Sequence, residues 1–254
     1  VPLIADQDLF LIARTPSRSV ISAPYLQVLV DKRDRPFDPT TGTYFLGRLE
    51  LANQLFGTSG NSSFVKLDVR HQWNWPVGFH AEAGVLMANV RVGLARPTAH
   101  SAEDLPLTER FFGGGSFTVR GVEPDMLGDI QRVDSRGVPL AQPIPLGGQG
   151  LAVINLEYRF PLFGMQSLWG EVFADSGQVY RSLLAETDPL TGKRVDPTFA
   201  PLRTTLGLGL IFKLGFPLKL EYATDYKRIM GRPRTQSERD TQLKSLLVSA
   251  GYQF

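Results

Sequence analysis

The chain has 254 residues, of which 43% are hydrophobic and 20% are charged, and its formal net charge is +2. This balance, without a dense stripe of lysine and arginine, gives no reason to expect a nucleic-acid partner. Cysteine is absent, which excludes disulfides, thiolate metal sites and a cysteine nucleophile, and no uninterrupted run of about 18 apolar residues could form a transmembrane helix.

Apolar residues alternate with small or polar residues along nearly the whole chain. With 25 glycines and 18 prolines, the composition is typical of many strands joined by turns. The pattern predicts about ten strands, at 8–15, 21–33, 42–54, 62–75, 78–93, 149–161, 167–180, 202–214, 216–227 and 243–254. Runs of about ten residues are long enough for a tilted strand to cross a bilayer. They favour an all-β fold, a transmembrane antiparallel β-barrel, although a soluble β-sandwich also alternates.

The predicted connections between strands alternate in length. Tight turns are expected at PVG (76–78) and GFP (215–217), whereas the segments at about 94–148, 181–201 and 228–242 are long and rich in proline, glycine and charge. Short turns at one rim and long loops at the other are the usual asymmetry of outer-membrane barrels.

The longest predicted loop, at about 94–148, contains the segment FFGGGSFTVRG at 111–121. A loop of this length is often functional. Glu157 and Asp175 fall on the polar faces of two later strands, so both are expected to point into the lumen. If the loop folds inward, Arg120 could pair with them in a charge-assisted contact shielded from bulk water. The alternation of side chains between the two faces of a strand does not by itself decide this. It leaves open that Arg120 is a solvated loop residue and that the acids merely line a pore.

The last predicted strand has one apolar face, which ends in aromatic residues. This face carries Leu246, Val248, Ala250, Tyr252 and Phe254. The opposite face, from Ser245 to Gln253, is mostly small or polar. Such a division suits lipid on one side and a wet lumen on the other.

Five motifs in a fixed order resemble those of the BamA/TamA superfamily, over about residues 25–254. FFGGGSFTVRGV is similar to the signature of the family's sixth extracellular loop, whose tip folds into the barrel. LGGQGLAVINLEYRFP (146–161), LWGEVFADSG (168–177) and LGLGLIFKLGFPLKLEYA (206–223), followed by the terminal Phe254, keep the family's order and spacing. Upstream, DKRDRPFDPTTG (31–42) is similar to the family's Asp-x-Arg-Asp-x-Pro…Pro-x-x-Gly turn. Each motif is weak by itself, and the order makes them specific.

The resemblance implies three groups of functional residues. The loop tip would comprise Gly113, Gly114, Val119, Arg120 and Gly121, with Arg120 paired to Glu157 and Asp175 in the lumen. The turn motif would comprise Asp31, Arg33, Asp34, Pro36, Pro39 and Gly42. A β-signal, by which such proteins are themselves recognised for insertion, would comprise Val248, Ala250, Tyr252 and Phe254. Val122 departs from the family, which has an aromatic residue after the tip glycine, but the pairing needs only the guanidinium.

The resemblance also implies a function. The whole chain, 1–254, would be the C-terminal part of a roughly 16-stranded barrel in the outer membrane of a Gram-negative-type bacterium. The expected function is an assembly factor that inserts or translocates client proteins at a lateral seam between strands. The expected partners are membrane lipids with a lipopolysaccharide-type outer leaflet, client outer-membrane proteins, and accessory envelope proteins or a polypeptide that supplies the missing half of the barrel.

Two other functions remain open, and neither is enzymatic. The chain could belong to a two-partner-secretion-type translocation pore, or to a structural or diffusion barrel within a larger envelope complex. His71, His80 and His100 are scattered without the spacing of a metal site. Ser59, in GTSGN, does not fit the Gly-x-Ser-x-Gly nucleophile elbow. The sequence therefore predicts no catalytic residue, no metal and no cofactor.

Overall fold

The computed structural model describes residues 20–59, 62–78, 84–98, 105–133, 138–183, 186–187, 194–195, 197, 199–214, 217–231 and 246–250. Its strands are β1 (Tyr25–Asp31), β2 (Gly42–Ala52), β3 (Phe64–Val77), β4 (Gly84–Pro97), β5 (Ile130–Val133), β6 (Pro139–Pro145), β7 (Gly150–Leu162), β8 (Met165–Tyr180), β9 (Glu186–Thr187), β10 (Arg194–Val195), β11 (Arg203–Lys213), β12 (Pro217–Asp225) and β13 (Leu246–Ala250). Short 3₁₀ turns span Gln54–Phe56 and Leu107–Glu109, and one helical turn, α1, spans Tyr226–Ile229. In these described parts of the chain, no helix is both long and apolar enough to cross a membrane.

Nine strands form one antiparallel sheet in the order β1-β2-β3-β4-β7-β8-β11-β12-β13. The short pairs β5–β6 and β9–β10 form two separate hairpins within the long connections. Apart from the two separate hairpins, strands that follow one another in the sequence are therefore neighbours in the main sheet. This is the order of an up-and-down barrel wall, and it confirms the predicted all-β antiparallel fold.

Every predicted strand from 21–33 onward corresponds to a strand of the main sheet, whereas 8–15 lies outside the described residues. The predicted turn at 76–78 was placed too early, since Pro76 and Val77 still belong to β3 and Val77 pairs with Gly84. A proline at the end of a strand removes only one ladder hydrogen bond, so it did not mark the turn. The long loop also begins later than predicted, because β4 continues to Pro97.

The two faces of the sheet have the reverse polarity of a soluble protein. On β7, β8 and β12 the buried face carries mainly polar and charged residues: Asn155, Glu157, Arg159, Glu171, Asp175, Lys219 and Glu221. The opposite face is apolar and exposed, with Ile154, Leu156, Val172, Leu220 and Tyr222. In a soluble sheet the apolar face would be the buried one. A polar inner face and an apolar outer face suit a barrel surrounded by lipid.

The connection between β4 and β7 covers the inner face. Its apolar side chains pack with residues of the strands in one cluster that includes Leu105, Phe111, Val119, Val122, Leu127, Leu151, Val153 and Val179. Burying each such side chain contributes about 1.5–3 kcal/mol. Phe111 and Gly148 also exchange backbone hydrogen bonds of 2.8 and 2.9 Å. These bonds join the two ends of the segment between Phe111 and Gly148, and the apolar cluster packs this segment against the inner face.

The strand register assigns each connection to one of two rims. Ala52 pairs with Phe64, and Phe64 pairs with Pro97, so the β2–β3 connection and the long loop share one rim. Gly42 pairs with Asn74 at the other end, where the β1–β2 turn lies. The β7–β8 turn lies at this end too, because Arg159 pairs with Val85 near the start of β4. These ends are called the long-loop rim and the short-turn rim below.

Candidate functional site

A tight turn shapes the tip of the long loop. Gly114 and Gly115 have φ angles of 112° and 80°, in the left-handed region that favours glycine. A Cβ on Gly114 would lie only 2.2 Å from the carbonyl oxygen of Glu123. The amide of Gly115 donates to the carbonyl of Val122 at 2.8 Å, which closes the turn. The run of glycines that stands out in the sequence thus lets the two arms of the tip approach each other, and Gly113 precedes this turn.

The tip fits closely against the inner face of β12. Gly121 has a φ of 84°, and a Cβ there would lie 2.8 Å from the Cβ of Ala223. Val119 and Val122 are fully buried in the apolar cluster. Val122, which stands where the resembling family has an aromatic residue, therefore still supplies an apolar contact, although a smaller one.

The side chain of Arg120 points towards the inner face of the sheet and is 1% exposed. Asp175 accepts hydrogen bonds from its Nε at 2.7 Å, its Nη2 at 2.9 Å and its backbone amide at 3.0 Å. Nη1 donates to Glu157 at 2.8 Å and to Glu221 at 2.8 Å. The planar guanidinium matches such paired acceptors better than an ammonium would. The structure thus brings together the three residues that the sequence analysis associated, and adds a third carboxylate.

Sequence reasoning missed Glu221. It lies on the polar parity of β12 with Lys219, and that parity is the signal that could have identified it. The sequence does not show, however, that the loop tip lies within reach of β12 as well as β7 and β8. The structure therefore places the two predicted acids and Glu221, which was not predicted, around Arg120.

The guanidinium of Arg120 also stacks on an aromatic ring. Its central carbon lies 3.5 Å from the centroid of Phe173, a cation–π contact. The Phe173 ring lies across β11, because a Cβ on Gly207 would come within 2.1 Å of its Cζ. A Cβ on Gly209 would likewise lie 2.6 Å from Oε1 of Glu171. These two glycines leave room for side chains of β8 to extend over β11 towards β12.

Further polar contacts complete the site. Lys219 donates to Glu157 at 3.3 Å and to Glu171 at 2.9 Å. Thr205 donates to the carbonyl of Arg120 at 2.8 Å. Asn155 donates to Asp175 and to the carbonyl of Thr118, at 2.8 and 2.6 Å. We call the six ionisable residues the charged array; they are Arg120, Glu157, Glu171, Asp175, Lys219 and Glu221.

The charged array holds the loop tip through Arg120. Burial disfavours the charged guanidinium, but the carboxylates of Asp175 and Glu157 outweigh that effect and hold the pKa of Arg120 well above its ordinary value. Buried charges of this kind are strongly destabilising when one partner is removed. Within the described residues, no group of three or more histidine, aspartate or glutamate residues is arranged to hold a metal ion.

The predicted turn motif forms two local hydrogen-bonded units. Asp31 accepts two side-chain bonds from Arg33, at 2.9 and 2.7 Å. Asp34 accepts from the hydroxyl and amide of Thr40 at 2.7 and 2.8 Å. Partial burial opposes ionisation of Asp34, but these bonds and the amide of Thr41 outweigh it and lower its pKa. Gly42 is required by geometry, since its φ is 95° and a Cβ would lie 2.1 Å from the carbonyl oxygen of Lys32.

The remaining motif residues lie at different depths. Pro36 is exposed and Pro39 is buried. The carbonyl of Pro39 accepts a 2.8 Å hydrogen bond from Arg159 on β7. Asp38, which was not predicted, is also buried and pairs with Arg159.

The predicted β-signal is described only in part. Val248 and Ala250 lie on β13 and pair with Leu220 and Leu218 of β12. Tyr252 and Phe254 lie outside the described residues. The role of this strand as a recognition signal therefore stays a prediction.

Comparisons with known proteins place the sheet and its loop in a family context. The model of the Omp85 superfamily domain matches residues 13–239. A SAM50-like protein of Schizosaccharomyces pombe is 28% identical over 231 residues, which cover 88% of this chain and 42% of that protein. The crystal structure of BamA from Haemophilus ducreyi lacking POTRA domains 1–3 is similar with a TM-score of 0.65 and 14% identity, over 90% of this chain and 42% of that one. The chain thus spans less than half the length of both relatives.

Proposed function

Since this chain belongs to the Omp85 superfamily, we propose that it is the C-terminal barrel region of a factor that inserts or translocates client proteins at an outer membrane. The resemblance to BamA and TamA and the similarity to a SAM50-like protein support an assembly function rather than an enzymatic one. The remaining strands of a roughly 16-stranded barrel would lie in a region that corresponds to the part of the relatives not covered by this chain.

The inward-folded loop is the observation that carries the proposal. A porin-type diffusion barrel has a water-filled channel, whereas here the tip of the long loop occupies the inner face. Its Arg120 is held by Asp175, Glu157 and Glu221. This network joins the loop tip to three strands, because β7, β8 and β12 all contribute acids to one guanidinium. The proposed role of the loop is to stabilise this part of the wall while another part opens.

The opening would be a lateral seam at β13. This strand pairs with β12 along Leu246–Ala250. No second neighbour of β13 is found among the described strands. An unpaired strand edge presents backbone donors and acceptors that can pair with an incoming strand. In the proposed mechanism, client strands form on this edge, and the binding energy of backbone pairing replaces any cofactor or chemical energy source.

The proposed partners follow from this role. They are client outer-membrane proteins, the lipids of the membrane, with a lipopolysaccharide-type outer leaflet, and accessory envelope proteins or a polypeptide that completes the barrel. The proposed location is the outer membrane of a Gram-negative-type bacterium. One relative is from a yeast and the other from a bacterium, so a mitochondrial outer membrane is the other outcome of a localisation experiment.

Reconstitution tests the proposal directly. The full-length protein that contains this chain would be placed in lipid vesicles, and the folding rate of an unfolded client barrel would be followed by heat-modifiable mobility on gels. Acceleration over empty vesicles, and loss of that acceleration in Arg120→Ala, would support the proposal. Folding no faster than in empty vesicles, together with steady flux of small solutes, would overturn it in favour of a diffusion barrel. Transport of one exported partner without client insertion would instead indicate a secretion pore.

A further inference from the structure

The β1–β2 turn extends into the inner face from the short-turn rim, opposite to the long loop. Asp38 lies at its centre with a φ of 52° and is 8% exposed. Aspartate and asparagine tolerate this left-handed conformation better than most residues. The backbone therefore presents one buried carboxylate to the strands behind the turn.

Two cations hold this carboxylate. Arg159 donates to Asp38 from Nη1 at 2.5 Å, and Lys213 contacts its second oxygen at 2.5 Å. Arg159 also donates from Nη2 to the carbonyl of Pro39 at 2.8 Å. Arg159 belongs to β7 and Lys213 to the end of β11, so the turn is fastened to two strands that are far from it in sequence.

Three successive inner-face residues of β7 connect this turn to the loop tip. Asn155 donates to the carbonyl of Thr118 in the loop. Glu157, two residues on, accepts from Arg120. Arg159, two residues further, contacts Asp38, and its Nε lies 3.4 Å from Glu157. Alternate residues of a strand share a face, so this row is continuous along the wall.

Glu157 thus contacts cations from opposite rims, because Arg120 comes from the long loop and Arg159 faces the short-turn rim, and Lys219 of β12 contacts it as well. We propose that Asp38 is a positioning residue that anchors the β1–β2 turn inside the barrel, and that Arg159 and Glu157 couple this anchor to the loop tip. Removing the charge of Asp38 takes one of its two carboxylate partners from Arg159, which then interacts more strongly with Glu157 and weakens the contact of Glu157 with Arg120. The position of the turn then sets how firmly the loop tip is held. This coupling goes beyond the proposed function and does not depend on which clients the barrel handles.

The test compares two aspartates with the same backbone conformation. Asp38→Asn removes the charge while keeping the side-chain volume and a residue suited to positive φ. Asp125→Asn is the matched control, since Asp125 has a φ of 62°, is exposed and lies in the long loop. Hydrogen–deuterium exchange of the full-length protein in lipid nanodiscs would be measured for two segments, 32–41 and 115–122.

For Asp38→Asn we expect exchange to rise roughly tenfold or more in segment 32–41, from the loss of charge-assisted hydrogen bonds, and measurably in segment 115–122. The control should change exchange in neither segment. Unchanged exchange in 32–41 would overturn the anchor, and a rise confined to 32–41 would overturn the coupling. If Asp38→Asn fails to assemble, Lys213→Gln, which removes one of the two cations, serves as the second variant with the same two readouts. Either negative result leaves client insertion untouched, so it is distinguishable from failure of the proposed function.

Discussion

Replacing Arg120 with alanine leaves three buried carboxylates without the guanidinium that pairs with them. Asp175, Glu157 and Glu221 are each no more than 3% exposed, so bulk water does not screen their charges. Removing one partner of a buried ion pair costs about 3–5 kcal/mol. Since about 1.4 kcal/mol is a tenfold change in an equilibrium, release of the loop tip should become at least roughly a hundredfold more frequent.

Limited proteolysis of the full-length protein in membranes measures this release. We expect cleavage within segment 105–133 to be much faster in Arg120→Ala than in the parent protein. Arg228→Ala is the control, because Arg228 is an exposed arginine on α1. Adding Asp175→Asn to Arg120→Ala should slow cleavage again, since it removes one of the uncompensated charges. Equal cleavage of the parent and Arg120→Ala would refute the electrostatic account of the loop, and a double variant no better than the single one would refute the role of stranded charge.

Two further predictions concern backbone fit and pH. Gly207→Ala should displace the Phe173 ring, whose Cζ would lie 2.1 Å from the new Cβ, and lower the free energy of unfolding in urea by about 1–3 kcal/mol. Gly47→Ala, where the nearest atom is 3.2 Å away, should lower it less. Equal losses of stability in the two variants would contradict the crowding argument. Because the pKa of Asp34 is lowered in the folded chain, its ionised form stabilises the β1–β2 turn above the ordinary aspartate pKa, and that contribution is lost as the pH falls through the lowered value. Amide exchange at Thr40 and Thr41, corrected for its intrinsic pH dependence, should therefore rise on acidification in the parent protein. In Asp34→Asn it should already be raised at neutral pH. An equal response to acid in both proteins would contradict this account.

The sequence was sufficient for the strands and for the direction in which their side chains point. Successive side chains of a strand point to opposite faces, so parity alone separated Glu157 and Asp175 from their apolar neighbours. It was also sufficient for the unusual loop, because consecutive glycines indicate backbone conformations that residues with a Cβ rarely adopt. The short hairpins β5–β6 and β9–β10 were missed, since pairs of two to seven residues within irregular loops carry too little periodicity to detect.

Only the tertiary structure decided which of the inward-pointing charges meet. Glu221 shares the inward face of β12 and Asp38 lies in a turn, and neither local pattern shows which charges these residues meet. Their roles depend on the register that places β12 two strands from β8, on Gly207 and Gly209 clearing the surface between these strands, and on a loop and a turn that enter from opposite rims. Parity is a property of one strand, whereas a contact between charges is a property of several strands and of what lies over them. For that reason the sequence determined which residues face the interior, and the fold determined that Arg120 and Asp38 are joined through Glu157 and Arg159.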